Sequence, residues 1–167
     1  MAISGLVITF NEEKNIGKCI DALFEVCDEV IIVDSLSTDN TVKIAEEKGA
    51  KVISQKFLGD GPQRTHGLPF CKNDWILNLD ADEFLDKDAK EFILKGKYLE
   101  GNYDAFSFRV KNFLADELID FSGWYPDHKV RFFNKKTAKP SEAKVHQKIE
   151  TTNEKKVAVH ILHYGWE

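Results

Sequence analysis

Short apolar runs alternate with amphipathic stretches through the first half of the chain. Between the runs, apolar residues recur every three or four positions, which is the spacing of a helix face. Gly49 stands where a glycine commonly ends a helix. This alternation predicts a parallel sheet with right-handed helical crossovers, and therefore an α/β fold. The predicted strands are residues 3–10, 29–34, 51–54 and 74–79, and the predicted helices are residues 11–27 and about 40–48.

The second half of the chain has a different pattern. Residues 103–110 alternate between two faces, as a half-buried strand does. No linker, low-complexity run or repeat separates the halves, so the later strands are predicted to extend the first sheet as a mixed sheet. We therefore expect one domain, 1–167, whose first half, 1–85, looks like a nucleotide-binding α/β layer. The further predicted strands are residues 128–133, 145–150 and 157–162.

Composition restricts the class of protein. The chain has 167 residues, 43% apolar and 31% charged, as in a globular domain with its own core. Its net charge of −5 argues against a nucleic-acid partner. The odd number of cysteines, Cys19, Cys27 and Cys71, argues against a disulfide framework and for a reducing compartment. No basic leader and no apolar run of about 20 residues is visible, which predicts a cytoplasmic protein.

The most distinctive segment is residues 75–83, where a mostly apolar run ends in three carboxylates. A strand ending in Asp80 and Asp82 would deliver two negative charges to the carboxyl edge of the sheet, where ligands bind in open α/β folds. Such a pair repels unless it is protonated or binds a cation, and Mg²⁺ is usually held by one or two carboxylates plus phosphate oxygens. The alternative is an acidic turn before the next helix. The spacing alone leaves both interpretations open.

Three other polar segments are predicted to reach the same edge. An acidic residue after the second strand, Asp34, is well placed to accept hydrogen bonds from a ribose or base, and Arg64 suits phosphate geometry. The plainer alternatives are a helix cap for Asp34, a solvated loop side chain for Arg64, and favourable charges at a helix N-terminus for Glu12 and Glu13. The segments are residues 9–13, Asp34, and a predicted loop over 59–67 that carries Gln63 and Arg64.

Familiar nucleotide fingerprints are missing. No GxxxxGK[ST] is present, and residues 9–13 stand where a GxGxxG would follow the first strand, so P-loop and dinucleotide chemistry are disfavoured. A nucleotidyltransferase would need a glycine-rich basic loop at that position. A receiver-type signalling domain would carry its acidic pair after the first strand, whereas Asp80 and Asp82 follow the fourth.

Three segments together resemble the family-2 glycosyltransferases with the GT-A fold. They are residues 8–13, 32–41 and 79–83, in the order and at the separations of that family. Residues 123–133 and 145–147 are similar to its bacterial lipopolysaccharide-core glucosyltransferase subgroup. The resemblance implies a Rossmann-like three-layer α/β sandwich with a mostly parallel central sheet and a mixed C-terminal extension. It also implies that residues 1–85 are the nucleotide-binding half and residues 86–167 the acceptor-binding and catalytic half.

The resemblance also implies an activity. It is metal-dependent, inverting transfer of a sugar from a nucleoside-diphosphate donor, expected to be UDP-linked, to a lipopolysaccharide-core or related lipid-linked glycan. Mg²⁺ or Mn²⁺ is the expected cofactor. Subgroup members usually continue past a segment like residues 163–167 into helices that can lie against the membrane. The chain is therefore either truncated or a short member, and peripheral contact with the cytoplasmic membrane is expected of the longer ones.

Site residues are carried over from the family position by position. Asp82 would bind the metal, and His163 is a candidate further ligand. His160 lies three residues earlier, so a regular strand would place it on the opposite face. The implied donor-binding residues are Thr9 and Glu12 beside the base, Asp34 at the uridine, Arg64 near base or diphosphate, and Asp80 with Ala81 at the ribose or donor sugar.

Asp127 is the candidate catalytic base. Inverting transfer needs a base on the face opposite the leaving group, and this aspartate matches the second residue of the family's Glu-Asp segment. The chain departs from the family by carrying Pro126 in place of the glutamate. The alternative is a turn aspartate after proline.

Four further residues are candidate contacts to phosphate or acceptor. Lys129 and Arg131 alternate with an apolar residue and so share a predicted strand face, for which a solvated surface is the alternative. Trp124 and His146 are candidate acceptor contacts, with packing or a structural role as the alternative. The rival activities are a nucleotide-sugar-binding protein with weak turnover and a metal-dependent nucleotidyltransferase.

Overall fold

The computed structural model describes residues 2–114, 117–119, 127–144 and 148–165. Four helices are α1 Ile16–Leu23, α2 Thr41–Glu47, α3 Asp60–Gly67 and α4 Lys87–Leu94, with 3₁₀ turns at Leu68–Phe70 and Lys97–Leu99. The strands of the first half are β1 Ile3–Thr9, β2 Glu29–Asp34, β3 Lys51–Ser54, β4 Trp75–Asn78 and β5 Glu83–Leu85. Those of the second half are β6 Ala105–Leu114, β7 Glu117–Ile119, β8 Asp127–Asn134, β9 Lys139–Pro140, β10 Ile149–Glu150 and β11 Glu154–Gly165.

One sheet organises the molecule, with strand order β3-β2-β1-β4-β8-β6-β11-β5 and β7 paired with β6. The pairs β3–β2, β2–β1 and β1–β4 are parallel, as predicted. β8 then runs antiparallel between β4 and β6, and β11 joins β6 in parallel and β5 antiparallel. The predicted α/β fold with a mixed extension is therefore confirmed. The sheet passes from one half of the chain to the other without a break.

Both faces of the sheet are covered, which explains its near-continuous apolar strands. In β1, Ile3 and Val7 point into a core formed with α1, α2 and α4, whereas Leu6 points into a second core. All three side chains are at most 1% exposed. The described part of the chain has no helix of the length and apolar character needed to span a bilayer.

The first helix is shorter than predicted. α1 begins at Ile16, because the preceding turn closes on the Glu12 carbonyl, which accepts from the Asn15 and Ile16 N–H groups at 3.0 and 2.9 Å. Asn11 also has a φ of 51°, in the left-handed region that a helix cannot continue through. Residues 11–15 are therefore a loop at the carboxyl end of β1, where a ligand can reach them.

The predicted loop over residues 59–67 is wrong, because most of it is the helix α3. Its glycines permit close packing instead of forming a turn. A Cβ on Gly61 would lie 1.8 Å from the Ser141 carbonyl oxygen, and one on Gly67 would lie 2.6 Å from both Leu6 and Val33. Only the absence of a side chain lets this helix approach the sheet and residues 141–144, here called the β9–β10 segment, so closely.

The N-terminus of α3 is bound to the same segment. The Asp60 N–H donates to the Lys144 carbonyl at 2.7 Å, and the Gly61 N–H donates to the Ala143 carbonyl at 2.9 Å. These groups would otherwise be unsatisfied helix donors. The β9–β10 segment therefore holds α3, and with it Arg64, in a defined position.

We expect Gly61→Ala to destabilise the fold by about 1–3 kcal/mol, because the new methyl group overlaps a backbone carbonyl that cannot rotate away. Gly17→Ala in α1 is the matched control. Its Cβ would lie 3.5 Å from Ile44, and it should stabilise by up to about 1 kcal/mol through helix propensity. Urea unfolding of both variants measures the difference. Equal stabilities for Gly61→Ala and the unsubstituted protein would contradict the packing described for α3.

Candidate functional site

A charge network stands at the carboxyl end of β4. Arg64 donates from Nη1 to Asn78 Oδ1 at 2.8 Å and from Nη2 to Asp80 Oδ1 at 2.9 Å. Arg131 Nη2 lies 3.7 Å from Asp80 Oδ2 on the other side. Burial alone would raise the pKa of Asp80, but the charges of Arg64 and Arg131 outweigh it and lower the pKa to about 2. Asp80 is therefore an ionised carboxylate between two guanidinium groups.

Glu83 holds Arg131 in this position. Its carboxylate accepts from Arg131 Nε at 2.9 Å and from Nη2 at 3.0 Å, and the Oε1 atom also accepts the Asp80 N–H at 3.0 Å. Glu83 is 2% exposed and Arg131 is 6% exposed. A two-pronged arginine–carboxylate pair is geometrically specific. Glu83 therefore orients both Arg131 and the backbone that carries Asp80.

A β-bulge in β8 supplies Arg131 to the network. Phe106 pairs with Phe132 and Ser107 pairs with Val130, so Arg131 has no opposite residue on β6. Bulges re-aim side chains and are common beside functional sites. Since Arg131 is buried, the alternative of a solvated strand face does not hold for it, whereas Lys129 is exposed.

Asp82 faces a different set of partners. Its Oδ2 atom lies 3.1 Å from His163 Nε2, and His163 Nδ1 lies 2.9 Å from Asn112 Oδ1. The hydrogen bond to Asp82 raises the pKa of His163, with burial acting in the opposite direction. Register places His163 beside Asn112 on the neighbouring strand and opposite Glu83. Three separate strands and the loop carrying Asp82 therefore build this pair.

His160 contacts a different carboxylate. Its Nδ1 atom lies 3.5 Å from Asp86 Oδ2, and Asp86 caps α4 by accepting the Ala89 N–H at 2.8 Å. Burial lowers the pKa of His160. The two histidines of β11 thus meet different carboxylates, so only His163 stands next to Asp82.

The chemistry of Asp82 and His163 fits a divalent cation that also binds phosphate. Among residues 2–114, 117–119, 127–144 and 148–165, no three His, Cys, Asp or Glu side chains gather closely enough to enclose a metal. Mg²⁺ and similar ions are often held by one or two protein ligands, with substrate phosphates and water completing the shell. Asn112 would orient the imidazole from behind, as outer partners of ligating histidines do.

Asp34 is buried at the end of β2, at 1% exposure. It accepts from Thr9 Oγ1 at 2.8 Å, from the Ser37 N–H at 2.8 Å and from Ser37 Oγ at 2.6 Å. It does not cap α2, whose N-cap position is Asn40. Asp34 therefore joins the ends of β1 and β2 and fixes the start of the next loop.

The loops after β1 and β2 are locked together by hydrogen bonds that the sequence analysis did not predict. The Asn11 N–H donates to Ser37 Oγ at 2.8 Å, and Asn11 Oδ1 accepts the Thr38 N–H at 2.8 Å. Glu13 accepts the Asn40 N–H at 3.0 Å, so its carboxylate serves the start of α2 rather than α1. A short polar segment after a strand gives no sign of which other loop it will bind.

Two cavities open along this edge. The first, about 540 Å³, brings together Arg64, Asp80, Asp127, Lys129 and Arg131. Asp127, at the exposed start of β8, therefore shares a cavity with the charge network. Ala81 is 5% exposed and contributes to the core beside it. The Trp124 and His146 predictions lie outside the described residues.

The second cavity, about 520 Å³, adjoins the loop after β1. Two aromatic side chains in its lining, Phe10 and Phe57, are 57% and 53% exposed. Two exposed aromatic rings in the lining of one cavity form an apolar patch, and apolar patches of this kind mark ligand-binding grooves in many proteins. Thr9 and Glu12, both predicted donor-binding residues, line the same cavity.

Fold and site together define a class. A sheet that is parallel in its first half, with acidic groups and arginines at its carboxyl edge and cavities on either side, is the arrangement of a glycosyltransferase with the GT-A fold. The chain belongs to glycosyl transferase family 2, whose model matches residues 4–151. The resemblance to this family found in the sequence is therefore confirmed.

Relatives agree with this assignment. An uncharacterized glycosyltransferase of Rickettsia felis is 50% identical over 54% of the chain and 32% of its own length. The lipopolysaccharide core biosynthesis glycosyltransferase LpsC of Rhizobium meliloti is 37% identical over 56% of the chain and 36% of its own length. The chain thus spans about a third of the length of these relatives.

Two solved structures share the fold. S. aureus TarS in complex with UDP-GlcNAc superimposes with a TM-score of 0.68 at 18% identity, over 100% of this chain and 59% of TarS. Mycobacterium tuberculosis glucosyl-3-phosphoglycerate synthase, solved with Mn²⁺, UDP and glucosyl-3-phosphoglycerate, gives 0.50 at 30% identity, over 67% and 43% of the two chains. The first likeness shows the architecture over the whole chain.

We expect Glu83→Gln to cost about 3–5 kcal/mol of unfolding free energy, because it leaves the buried Arg131 without its charged partner. The control is Glu91→Gln, which breaks an exposed pair with Lys95 at 3.7 Å and should cost less than about 0.5 kcal/mol. Denaturant titration compares the two. Equal losses would show that Glu83 does not hold the network together.

Proposed function

We propose that the protein transfers a sugar, with inversion and with the aid of Mg²⁺ or Mn²⁺, from a UDP-linked donor to a lipopolysaccharide-core or related surface glycan. The observation that carries the proposal is Asp80, held ionised between Arg64 and Arg131, in one cavity with Asp127 and beside Asp82 and His163. Donor, metal and acceptor functions then have separate residues along one edge of the sheet.

The donor base is assigned to the cavity beside β1. Phe10 and Phe57 offer apolar ring surface, while Thr9 and Glu12 offer polar atoms at its edge. Base stacking on aromatic side chains is favourable. Asp34 acts through its hydrogen bond to Thr9 at 2.8 Å. The donor would lie across the carboxyl ends of β1 and β4, with its diphosphate directed toward the charge network.

Asp82 and His163 are the residues that would hold the metal. When bound, a divalent cation stabilises the negative charge that develops on a departing diphosphate. Lys129 is exposed in the first cavity and adds a mobile cation there. Asp80 keeps a 38% exposed side chain despite its arginine partners. Its free lone pairs can accept a hydrogen bond from a hydroxyl of the ribose or donor sugar.

Asp127 is the group assigned to the acceptor. It would accept the proton of the attacking hydroxyl as that oxygen bonds to the anomeric carbon and the bond to the diphosphate breaks. The carboxylate is exposed at the start of β8 and lines the cavity that also contains Asp80. The acceptor class is supported by LpsC, which is described as acting in lipopolysaccharide core biosynthesis.

Donor binding can be tested before any acceptor is known. UDP-sugars with Mn²⁺ should raise the melting temperature more than GDP- or dTDP-sugars, because a ligand that binds only the native state stabilises it. Asp82→Asn should remove the Mn²⁺-dependent part of that shift and leave the metal-free part. Asp74→Asn, at the opposite end of β4, is the control. An Asp82→Asn protein with the full Mn²⁺ effect would refute the metal assignment.

Asp127→Asn should reduce transfer by about 10²–10⁴-fold, the usual contribution of a positioned base. The dissociation constant of the donor, measured by calorimetry with UDP and Mn²⁺, should not change. Transfer and donor hydrolysis are assayed with and without Mn²⁺, again with Asp74→Asn as control. Undiminished transfer would refute the base assignment. Donor binding without turnover in the unsubstituted protein would favour the nucleotide-sugar-binding alternative.

A further inference from the structure

Three buried polar atoms on two adjacent strands have no hydrogen-bond partner among the described residues. They are Ser107 Oγ and Arg109 Nε on β6 and His128 Nδ1 on β8. Arg109 and His128 face each other across the strand pair. Ser107 is 1% exposed. Buried polar groups are nearly always paired, so an unpaired group in a native fold needs an explanation.

The position of these atoms suggests an explanation for their lack of partners. Ser107 and His128 line the first cavity, together with Asp80, Asp127 and Arg131. Its further walls are Asp60 on α3, Lys148 and Ile149 at β10, and Glu154 at the start of β11. A volume of about 540 Å³ falls within the ~300–1,000 Å³ of small-molecule sites. The cavity can therefore hold a small-molecule group in contact with Ser107 and His128.

The charges of the cavity indicate the chemistry of that group. It is lined by four acidic residues and by four lysine or arginine residues, with His128 in addition. Arg64 and Arg131 are each paired with Asp80. The remaining carboxylates and ammonium groups have no ion-pair partner within the described parts of the chain. An anionic ligand would meet Asp60 and Glu154, and a cationic ligand would meet Lys148. A neutral, hydroxyl-rich ligand can donate to the carboxylates and accept from the ammonium groups.

We infer that this cavity contains a saccharide subsite, in which Ser107 and His128 hydrogen-bond hydroxyl groups of the acceptor glycan. The inference rests on the proposed function, because Asp127, the residue assigned there to the acceptor, lines the same cavity. Ser107 is then a specificity-determining residue. A site with a buried hydrogen-bonding group rejects analogues that lack the matching hydroxyl, because that group would be left unpaired.

A substitution can remove the Ser107 hydroxyl without harming the fold. Ser107→Ala deletes an unpaired buried hydroxyl, so its melting temperature should equal or exceed that of the unsubstituted protein. Thr65→Val is the matched control. Thr65 Oγ1 is also buried without a partner in the described structure, but Thr65 lies on α3 and does not line this cavity. Any binding change confined to Ser107→Ala then belongs to the cavity.

The probes are methyl glycosides of glucose, galactose, mannose and N-acetylglucosamine, titrated into the full chain by calorimetry and saturation-transfer NMR. The glycoside that binds best is retested as its monodeoxy analogues. We expect Ser107→Ala and His128→Ala to weaken its binding at least tenfold, and Thr65→Val to leave it unchanged. For the unsubstituted protein, one deoxy analogue should bind more weakly than the parent glycoside by the same factor. For Ser107→Ala, that analogue and the parent glycoside should bind equally well. This double comparison isolates the contact between Ser107 and the missing hydroxyl.

Absence of glycoside binding, or equal binding by Ser107→Ala and Thr65→Val, would overturn the subsite. The nucleotide titration with UDP and Mn²⁺, run without glycoside, reports on the proposed function separately. If UDP binds and no glycoside depends on Ser107, the subsite fails alone. If a glycoside depends on Ser107 and no nucleotide binds, the proposed function fails and the saccharide subsite stands.

Discussion

The buried pair between Glu83 and Arg131 is the interaction on which the charge network at the carboxyl end of β4 depends. It joins β5 to the bulge of β8, and through the Asp80 N–H and carboxylate it reaches β4 and Arg64 on α3. Taking two charges out of water is costly unless their geometry and remaining hydrogen bonds are satisfied. Here every partner serves a second contact, so a change at any one of them moves the others.

The position of Asp80 also depends on α3, a helix whose own sequence has a low helix propensity. α3 contains two glycines and a proline in eight residues, a composition that disfavours a helix in isolation. Proline is tolerated because it stands in the first turn, where its missing N–H is not needed. Gly61 and Gly67 let the helix touch the β9–β10 segment and the sheet, and this contact places Arg64 between Asn78 and Asp80. Packing thus provides the stability that local sequence lacks.

The sequence predicted what depends on local pattern. The parallel strands were predictable because both faces of the sheet are buried and the apolar runs are nearly unbroken. α3 was not, since its glycines are typical of a turn and their packing partners are distant in sequence: Ser141 for Gly61, and Leu6 and Val33 for Gly67. The role of Glu83 was also hidden. A carboxylate in an acidic run looks the same whether it binds a metal or an arginine, and the bulge that delivers Arg131 leaves no local sign. Asp34 was located correctly at its strand end, but its partners Thr9 and Ser37 depend on the fold.

The two aspartates after β4 show how neighbouring carboxylates take unlike tasks. The charge of Asp80 is already balanced by two guanidinium groups, which would repel a cation approaching from their side. Asp82 has no arginine beside it and faces the imidazole of His163, which can give up its proton and become a ligand. A metal shared equally by both carboxylates would have to compete with Arg64 and Arg131. The acidic pair is therefore asymmetric: Asp80 is paired with the arginines, whereas Asp82 faces a histidine. This asymmetry is the reason for proposing Asp82, and not Asp80, as the metal ligand.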